Sequence, residues 1–166
     1  MTQPDGPVFF WKTNQKNGLY CQWFLCDMVV DGVAYNCCEQ YMMAQKAELM
    51  GDHASKRRIM EEPSPWKQKA LGRKVKHWDE KLWNAKCLAI VIEANYAKFS
   101  QHADLRRVLM NTRDCVLAEA SPLDCKWGIG LSATHPHAAD RTKWRGENLL
   151  GEALMAVRKR LAEESQ

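Results

Sequence analysis

A glutamate and a lysine seven residues apart, Glu39 and Lys46, are the first candidates for chemistry in this sequence. The spacing of apolar residues predicts a helix over residues 37–50, on which both side chains share one stripe with Met43 and Met50. A carboxyl group can donate a proton when protonated and stabilise positive charge when ionised, and partial burial of a lysine favours its neutral, nucleophilic amine. Two surface charges that flank a core stripe would give the same pattern, and that arrangement is the commoner one.

A second candidate is the segment 124–130, which holds an acid, an aromatic ring and two glycines. Glycine lets a ligand approach backbone N–H groups, as at Gly128, and the ring of Trp127 offers a face for stacking. The carboxylate of Asp124 can support a developing cation. A turn with a packed tryptophan is the alternative, and the pattern taken alone favours it.

Basic side chains cluster around Gly72, where they can receive a phosphate group. The cluster consists of Lys67, Lys69, Arg73, Lys74 and Lys76. A solvated basic face is the more frequent explanation of such a cluster. His135 and His137 have no third partner at a metal-ligand spacing, so we expect no metal. The sequence also has no GxSxG elbow, no P-loop and no dinucleotide fingerprint.

Composition restricts the class of protein. The chain has 166 residues, enough for one domain with one core, and its net charge of +4 is compatible with an anionic ligand. Its seven cysteines are scattered without a CxxC pair, which predicts reduced thiols in an intracellular protein, in the cytoplasm or the nucleus. We expect no membrane segment and no secretory signal.

The elements that must position these residues are mainly helical. Residues 1–8 are predicted to be a flexible N-terminus, and residues 28–35 a hairpin around Asp31-Gly32. Asn36 is predicted to cap the helix that ends near Met50, and Gly72 to follow a helix that begins at Pro65. Further helices are predicted over 54–61, 79–99 (capped by Asp79), 103–110 (with Leu105, Val108 and Leu109 inward) and 147–163, with a brief strand at 115–118 and a loop over 121–146. The predicted fold class is mainly α (α+β), a single compact multi-helical domain with a small N-terminal β-hairpin.

Read together, seven segments in order resemble the NADAR family, whose members include N-glycosidases of riboflavin-biosynthesis intermediates. The segments are Val30 to Asn36, Glu39 to Ala47, Ala70 to Arg73, Trp78, Ala97 to Phe99, Asp124 to Gly130, and Glu147 to Gly151. The resemblance extends over nearly the whole chain and implies one NADAR-like domain over residues 9–162. It departs at Cys21, where many members carry serine, and around Asp140, where no family pattern is clear.

The resemblance implies cleavage of a ribosyl C1′–N bond, with Lys46 as a covalent catalyst and Glu39 and Asp124 as the supporting carboxylates. Trp127 would stack on the base or the ribose, and Arg73 would take phosphate. Further ligand contacts are expected from the matching residues Trp23, Tyr41, Gly128 and Asn148. No metal or organic cofactor is needed for this chemistry.

Two substrates are associated with the family: ADP-ribose attached to guanine bases of nucleic acid, and the phosphoribosylamino-pyrimidine intermediates of riboflavin synthesis. We expect removal of ADP-ribose from guanine, with the riboflavin intermediates as the alternative. A non-catalytic module that binds ADP-ribose or a related nucleotide is an alternative of another class. A purely structural basic domain is the weakest of these interpretations. The oligomeric state does not follow from the sequence.

Overall fold

The computed structural model describes residues 6–166, and it is mainly helical with short strands, as the sequence predicts. Of the segment predicted to be flexible, residues 1–5 lie outside this range and Val8 begins the first strand. The strands are β1 (Val8–Phe10), β2 (Met28–Val30), β3 (Val33–Tyr35) and β4 (Leu117–Glu119). The helices are α1 (Cys38–Leu49), α2 (His53–Glu61), α3 (Pro65–Gly72), α4 (Glu80–Gln101), α5 (Ala103–Asn111) and α6 (Leu149–Glu164). Within residues 6–166 no helix combines the length and the apolar character that crossing a membrane requires.

The described residues form two compact units. The central unit is Gln22–Gln101, which holds the hairpin and helices α1 to α4. The terminal unit combines residues 6–21 with His102–Gln166, and holds β1, β4, α5 and α6.

In the central unit, α1 is surrounded by α2, α3 and α4. The hairpin β2–β3 is antiparallel, as predicted, and its two turn residues Asp31 and Gly32 have φ of 50° and 79°. Positive φ at both positions is what a type I′ turn requires. The long helix α4 begins after Asp79, whose carboxylate accepts a hydrogen bond from the N–H of Leu82, so that predicted cap is confirmed.

The prediction that Asn36 caps α1 is wrong. Cys37 is the capping residue, and its sulfur accepts a hydrogen bond from the N–H of Gln40 at 3.4 Å. The side chain of Asn36 instead accepts a bond from Gln68 and donates one to the carbonyl of Pro63. Partners from a distant segment therefore engage Asn36, and the next residue caps the helix.

Gly72 is not the C′ residue of α3 but the last residue of the helix itself. Its missing side chain serves packing, because a Cβ atom there would overlap the sulfur of Met43 on α1. The two helices approach one another closely at this point. Because Met43 lies on the same stripe of α1 as Glu39 and Lys46, the close approach brings α3 alongside that stripe.

In the terminal unit, β1 and β4 pair in parallel, with Val8 opposite Leu117 and Phe10 opposite Glu119. Helix α6 packs against β4 with an apolar face that is fully buried at Leu150, Leu154, Val157 and Leu161. On α5 the prediction is right for Leu105 and Leu109, which are buried, and wrong for Val108, which is 36% exposed. The predicted loop 121–146 is irregular apart from a short 3-10 turn at Arg141–Lys143.

Candidate active site

Glu39 lies in the first turn of α1 and is buried, with 6% of its surface exposed. Its backbone N–H donates to the carbonyl of Gln22 at 3.0 Å, and the indole of the next residue, Trp23, donates a hydrogen bond to its carboxylate. The segment at residues 22–23 therefore covers the beginning of the helix. This burial excludes the interpretation of Glu39 as a solvated surface charge.

Burial raises the pKa of the Glu39 carboxyl from 4.5 to about 7. The cations of Lys69, Lys46 and Arg73 oppose this rise, as does the hydrogen bond from Trp23. Desolvation outweighs all four because the side chain is almost entirely removed from water. Both the protonated and the ionised forms of this carboxyl are therefore present near neutral pH.

Lys46 is half-buried beside two tryptophan rings. Its Nζ atom lies 4.7 Å from the ring centroid of Trp78 and 5.8 Å from that of Trp83. A positive charge over the face of an aromatic ring is attracted by the ring quadrupole. The surroundings of this amine are therefore suited to a cation, with the carboxyl of Glu39 as a further partner.

Helix α3 and the residue that follows it, Arg73, contribute two more cations around Glu39. The charges of Lys69 and Arg73 both act on the carboxyl of Glu39, and the Nζ atom of Lys69 lies 5.8 Å from the ring centroid of Trp23. Because α3 approaches α1 closely at Gly72 and Met43, Lys69 and Arg73 lie near the stripe of α1 that carries Glu39. We call these five residues, Trp23, Glu39, Lys46, Lys69 and Arg73, the Glu39–Lys46 site.

The structure thus brings together four of the nine residues predicted from the sequence: Trp23, Glu39, Lys46 and Arg73. Tyr41 also lies on α1, but its ring packs edge-on against that of Tyr35, with centroids 5.0 Å apart. It is buried, and burial raises the pKa of its hydroxyl to about 12. The structure therefore gives Tyr41 a packing role, and its contact with a ligand remains a prediction.

Asp124 and Trp127 lie in the terminal unit, in a turn that the aspartate itself holds. One carboxylate oxygen of Asp124 accepts hydrogen bonds from the N–H groups of Lys126 at 2.9 Å and Trp127 at 2.8 Å. Trp127 is half-buried, with the Nζ atom of Lys126 6.0 Å from its ring centroid. The catalytic role predicted for Asp124 stays a prediction, and its second oxygen is the one that would serve it.

Gly128 and Asn148 have structural roles in the same unit. A Cβ atom on Gly128 would lie 2.9 Å from the carbonyl oxygen of Glu119, so the close backbone approach requires glycine. Asn148 is 1% exposed, and its side chain accepts from the N–H of Glu119 and donates to the carbonyl of Leu117. Both groups of this amide thus bond to β4. The ligand contacts expected of Gly128 and Asn148 remain predictions.

Sequence reasoning did not assign individual roles to Lys69 and Trp78. Lys69 is four residues before Arg73 and hence on the same side of α3, a spacing that would have singled it out from the basic cluster. The contact between Trp78 and Lys46 joins a loop to a helix and leaves no local signal in the sequence. Among residues 6–166 the structure contains no group of three or more His, Cys, Asp or Glu side chains that could hold a metal ion.

The sequence matches the NADAR domain over residues 9–162. It is 39% identical over 164 residues to N-glycosidase R617 of Acanthamoeba polyphaga mimivirus, which covers 94% of this chain and 96% of that protein. It is 30% identical over 154 residues to N-glycosidase Npun_R5314 of Nostoc punctiforme, with 93% and 92% covered. The NMR structure of the E. coli protein YbiA matches with a TM-score of 0.81 at 29% identity, covering 99% of this chain and 89% of that one.

Proposed function

Because this chain belongs to the NADAR domain family, we propose that it is an N-glycosidase that removes ADP-ribose from guanine bases of nucleic acid. Relatives that are named N-glycosidase and align over nearly the whole chain support hydrolysis of an N-glycosyl bond. The observation that carries the proposal is the buried carboxyl of Glu39 beside the half-buried amine of Lys46.

Cleavage of a C1′–N bond requires a proton for the departing base and stabilisation of positive charge at C1′. A carboxyl whose pKa is near 7 can serve both needs, because its protonated form gives the proton and its ionised form faces the cation. Glu39 is therefore assigned to the leaving group first and to charge stabilisation afterwards. The second carboxylate implied by the family resemblance is that of Asp124.

Lys46 is assigned the covalent step. When the C1′–O4′ bond of the ribose opens, O4′ takes a proton and the nitrogen of the base shares its electron pair with C1′. The neutral amine then adds to C1′ and passes a proton to the nitrogen of the base. The C1′–N bond to the base breaks, and the base departs with that electron pair and that proton. The protonated imine that remains on Nζ carries a positive charge over the ring of Trp78, where cation–π attraction stabilises it. Water then adds to C1′, which releases the sugar and regenerates the amine.

We choose ADP-ribosyl-guanine because several cations and aromatic rings that could bind a ligand lie around the carboxyl of Glu39. ADP-ribose on guanine carries two phosphates and two bases. The Glu39–Lys46 site has two cations from α3, and the two half-open rings of Trp23 and Trp78 lie against Lys69 and Lys46. Guanidinium and ammonium groups bind phosphate, and aromatic faces stack on bases.

The phosphoribosylamino-pyrimidines of riboflavin synthesis are the second candidate, because Lys69 and Arg73 also suit a single phosphate. One assay separates the candidates: purified protein is offered an oligonucleotide with ADP-ribosyl-guanine and, separately, a phosphoribosylamino-pyrimidine. Release of ADP-ribose with a higher kcat/KM than release of ribose phosphate is the expected result. The reverse order would overturn the assignment of the substrate.

A non-catalytic binding module predicts a different outcome. Calorimetry would then detect tight binding of ADP-ribose while neither substrate is turned over. A buried glutamate with a raised pKa costs folding free energy at neutral pH, and a module that only binds needs no such group. We therefore expect turnover, and its absence on both substrates would overturn the enzymatic proposal.

A further inference from the structure

The excess positive charge of this chain is concentrated between Pro63 and Trp78. This segment carries five Lys and Arg residues and no Asp or Glu. The chain has 24 basic and 20 acidic residues, so elsewhere 19 basic side chains face 20 acidic ones. A local excess of this kind attracts a polyanion, which a net charge of +4 spread evenly would do weakly.

Two large aromatic side chains are exposed in the same segment. Trp66 on α3 is 65% exposed and Trp78 in the loop after α3 is 48% exposed. An exposed tryptophan leaves a large apolar face in water, which is costly unless a partner covers it. Of the positive side chains between them, Lys67, Arg73, Lys74 and Lys76 are exposed as well, and Lys69 is half-buried.

The exposed tryptophans are connected to the Glu39–Lys46 site. Trp66, Lys69 and Arg73 follow one another at intervals of three and four residues, which places them on one side of α3. Lys69 and Arg73 act on the carboxyl of Glu39, and Trp66 lies two turns before Arg73 with its ring exposed. At the other end of the segment, the ring of Trp78 lies against Lys46.

We propose that residues 63–78 form a binding surface for single-stranded nucleic acid, which holds the strand on either side of the modified base. Of its exposed side chains we assign Trp66, Lys67, Lys74 and Trp78 to the strand, and we call these four the strand-binding surface. Lysines bind phosphates while tryptophan faces stack on bases, a combination that recognises a strand without regard to sequence. The inference deepens the proposed function and rests on it for the identity of the modified base.

A single strand is favoured over a duplex because tryptophan faces need bases that are free to unstack. The surface also distinguishes the two substrate candidates. A free phosphoribosylamino-pyrimidine has one base and one phosphate, and would leave Trp66 without a base to stack on. A strand has further bases and phosphates for the exposed residues of this segment.

The test is binding of an unmodified, fluorescein-labelled dT oligonucleotide, followed by fluorescence anisotropy at several salt concentrations. We expect Trp66→Ala to weaken binding about tenfold, because one stacked base is lost. Lys67→Ala with Lys74→Ala should make the dependence of log K on log salt shallower by about 1.4, because two phosphate contacts on a single strand are lost. The matched control, Lys86→Ala with Lys159→Ala, removes the same charge from exposed positions on α4 and α6 and should bind as the wild type does.

A kinetic measurement then separates this inference from the proposed function. With Trp66, Lys67 and Lys74 all changed to Ala, KM for an ADP-ribosylated oligonucleotide should rise about tenfold or more, while kcat/KM for the isolated ADP-ribosyl-guanosine stays unchanged. If this variant and the wild type have the same KM for the ADP-ribosylated oligonucleotide, the proposed strand-binding surface is wrong and the proposed function is unaffected. Weakened oligonucleotide binding without turnover of any glycoside would support the surface and overturn the proposed function. Equal competition by an abasic strand of the same length would overturn the stacking role of Trp66.

Discussion

Glu39 combines features that favour ionisation with an environment that opposes it. A helix N-terminus, three nearby cations and an indole N–H all stabilise a carboxylate, yet burial keeps the pKa near 7. Without those partners the carboxyl would remain protonated to a higher pH. The balance gives a group that exchanges its proton at neutral pH, as an acid–base catalyst needs.

The stability of the protein should therefore depend on pH through Glu39. The folded chain holds this proton more tightly than the unfolded chain, so the favourable contribution is complete below about pH 4.5 and is lost as the pH rises through 7. Glu39→Gln removes the titration and should be more stable than the wild type above pH 7, by up to about 3 kcal/mol. Thermal unfolding of both proteins from pH 4.5 to 8 measures this, and parallel curves would contradict the burial of the charge.

Lys46 gives a prediction about a covalent intermediate. If its amine forms an imine with C1′, borohydride added during turnover should fix the sugar to the wild-type protein. Lys46→Arg keeps a cation over Trp78 but has no amine to form the imine, so labelling should vanish and turnover should fall by about two orders of magnitude or more. Mass spectrometry of the peptide that contains residue 46 detects the adduct. Labelling of Lys69 instead of Lys46 would show that Lys69, and not Lys46, carries out the covalent step.

Individual residues could be predicted where the information is local. Helical spacing was sufficient to put Glu39 and Lys46 on one stripe of α1. The burial of Glu39 could not be predicted, because the residue that covers it, Trp23, arrives from another segment. For the same reason the sequence leaves open whether the charges are solvated or catalytic.

The contact between Gly72 and Met43 influences how closely helices α1 and α3 approach at the site. Gly72 lies against Met43, so a methyl group at residue 72 would have to displace the methionine side chain. We expect Gly72→Ala to separate the two helices, to cost about 1–3 kcal/mol from overpacking, and to raise KM as Lys69 and Arg73 move away from Glu39.

A double-mutant cycle checks this contact. Met43→Ala makes room for the added methyl group, so Gly72→Ala should cost less stability in that background than in the wild type. Urea unfolding of the wild type, the two single variants and the double variant gives the coupling energy. Additive changes would show that the helices are not held at Gly72, and the effect on KM would then need another cause.

Helix α6 depends on Asn148, whose amide links the helix start to β4. Asn148→Ala loses two buried hydrogen bonds and should reduce the free energy of unfolding by about 2–4 kcal/mol. The exposed Asn111→Ala on α5 is the control and should change it by less than about 0.5 kcal/mol. Full activity of Asn148→Ala at a temperature where it is folded would leave the residue a structural role only. Loss of activity in the folded variant would instead support the predicted ligand contact.

Elements with strong local signals were predicted well. The Asp31-Gly32 turn predicted the hairpin, and the Asp79 cap predicted the start of α4. The errors at Asn36 and Gly72 share one cause, since side chains from distant segments decide what each residue does. Local patterns contain no information about those partners.

At the scale of the whole molecule, the predicted site residues are divided between the two units. Glu39, Lys46, Trp23 and Arg73 belong to the central unit, and Asp124 and Trp127 to the terminal one. The family resemblance includes segments from both units, whereas any single motif lies in only one of them. The substrate is harder to predict, because both candidates share the ribosyl C1′–N bond and differ only in the groups attached to it.

The central claim is that Lys46 and Glu39 cleave the bond between ADP-ribose and guanine. The most direct measurement is a single-turnover assay of ADP-ribose release from an oligonucleotide with ADP-ribosyl-guanine, with the wild type, Lys46→Ala, Glu39→Gln and the exposed control Lys86→Ala. We predict release by the wild type and the control, and loss of at least about a hundredfold in rate for both site variants while they remain folded. Undiminished release by folded Lys46→Ala and Glu39→Gln would contradict the assignment of this site.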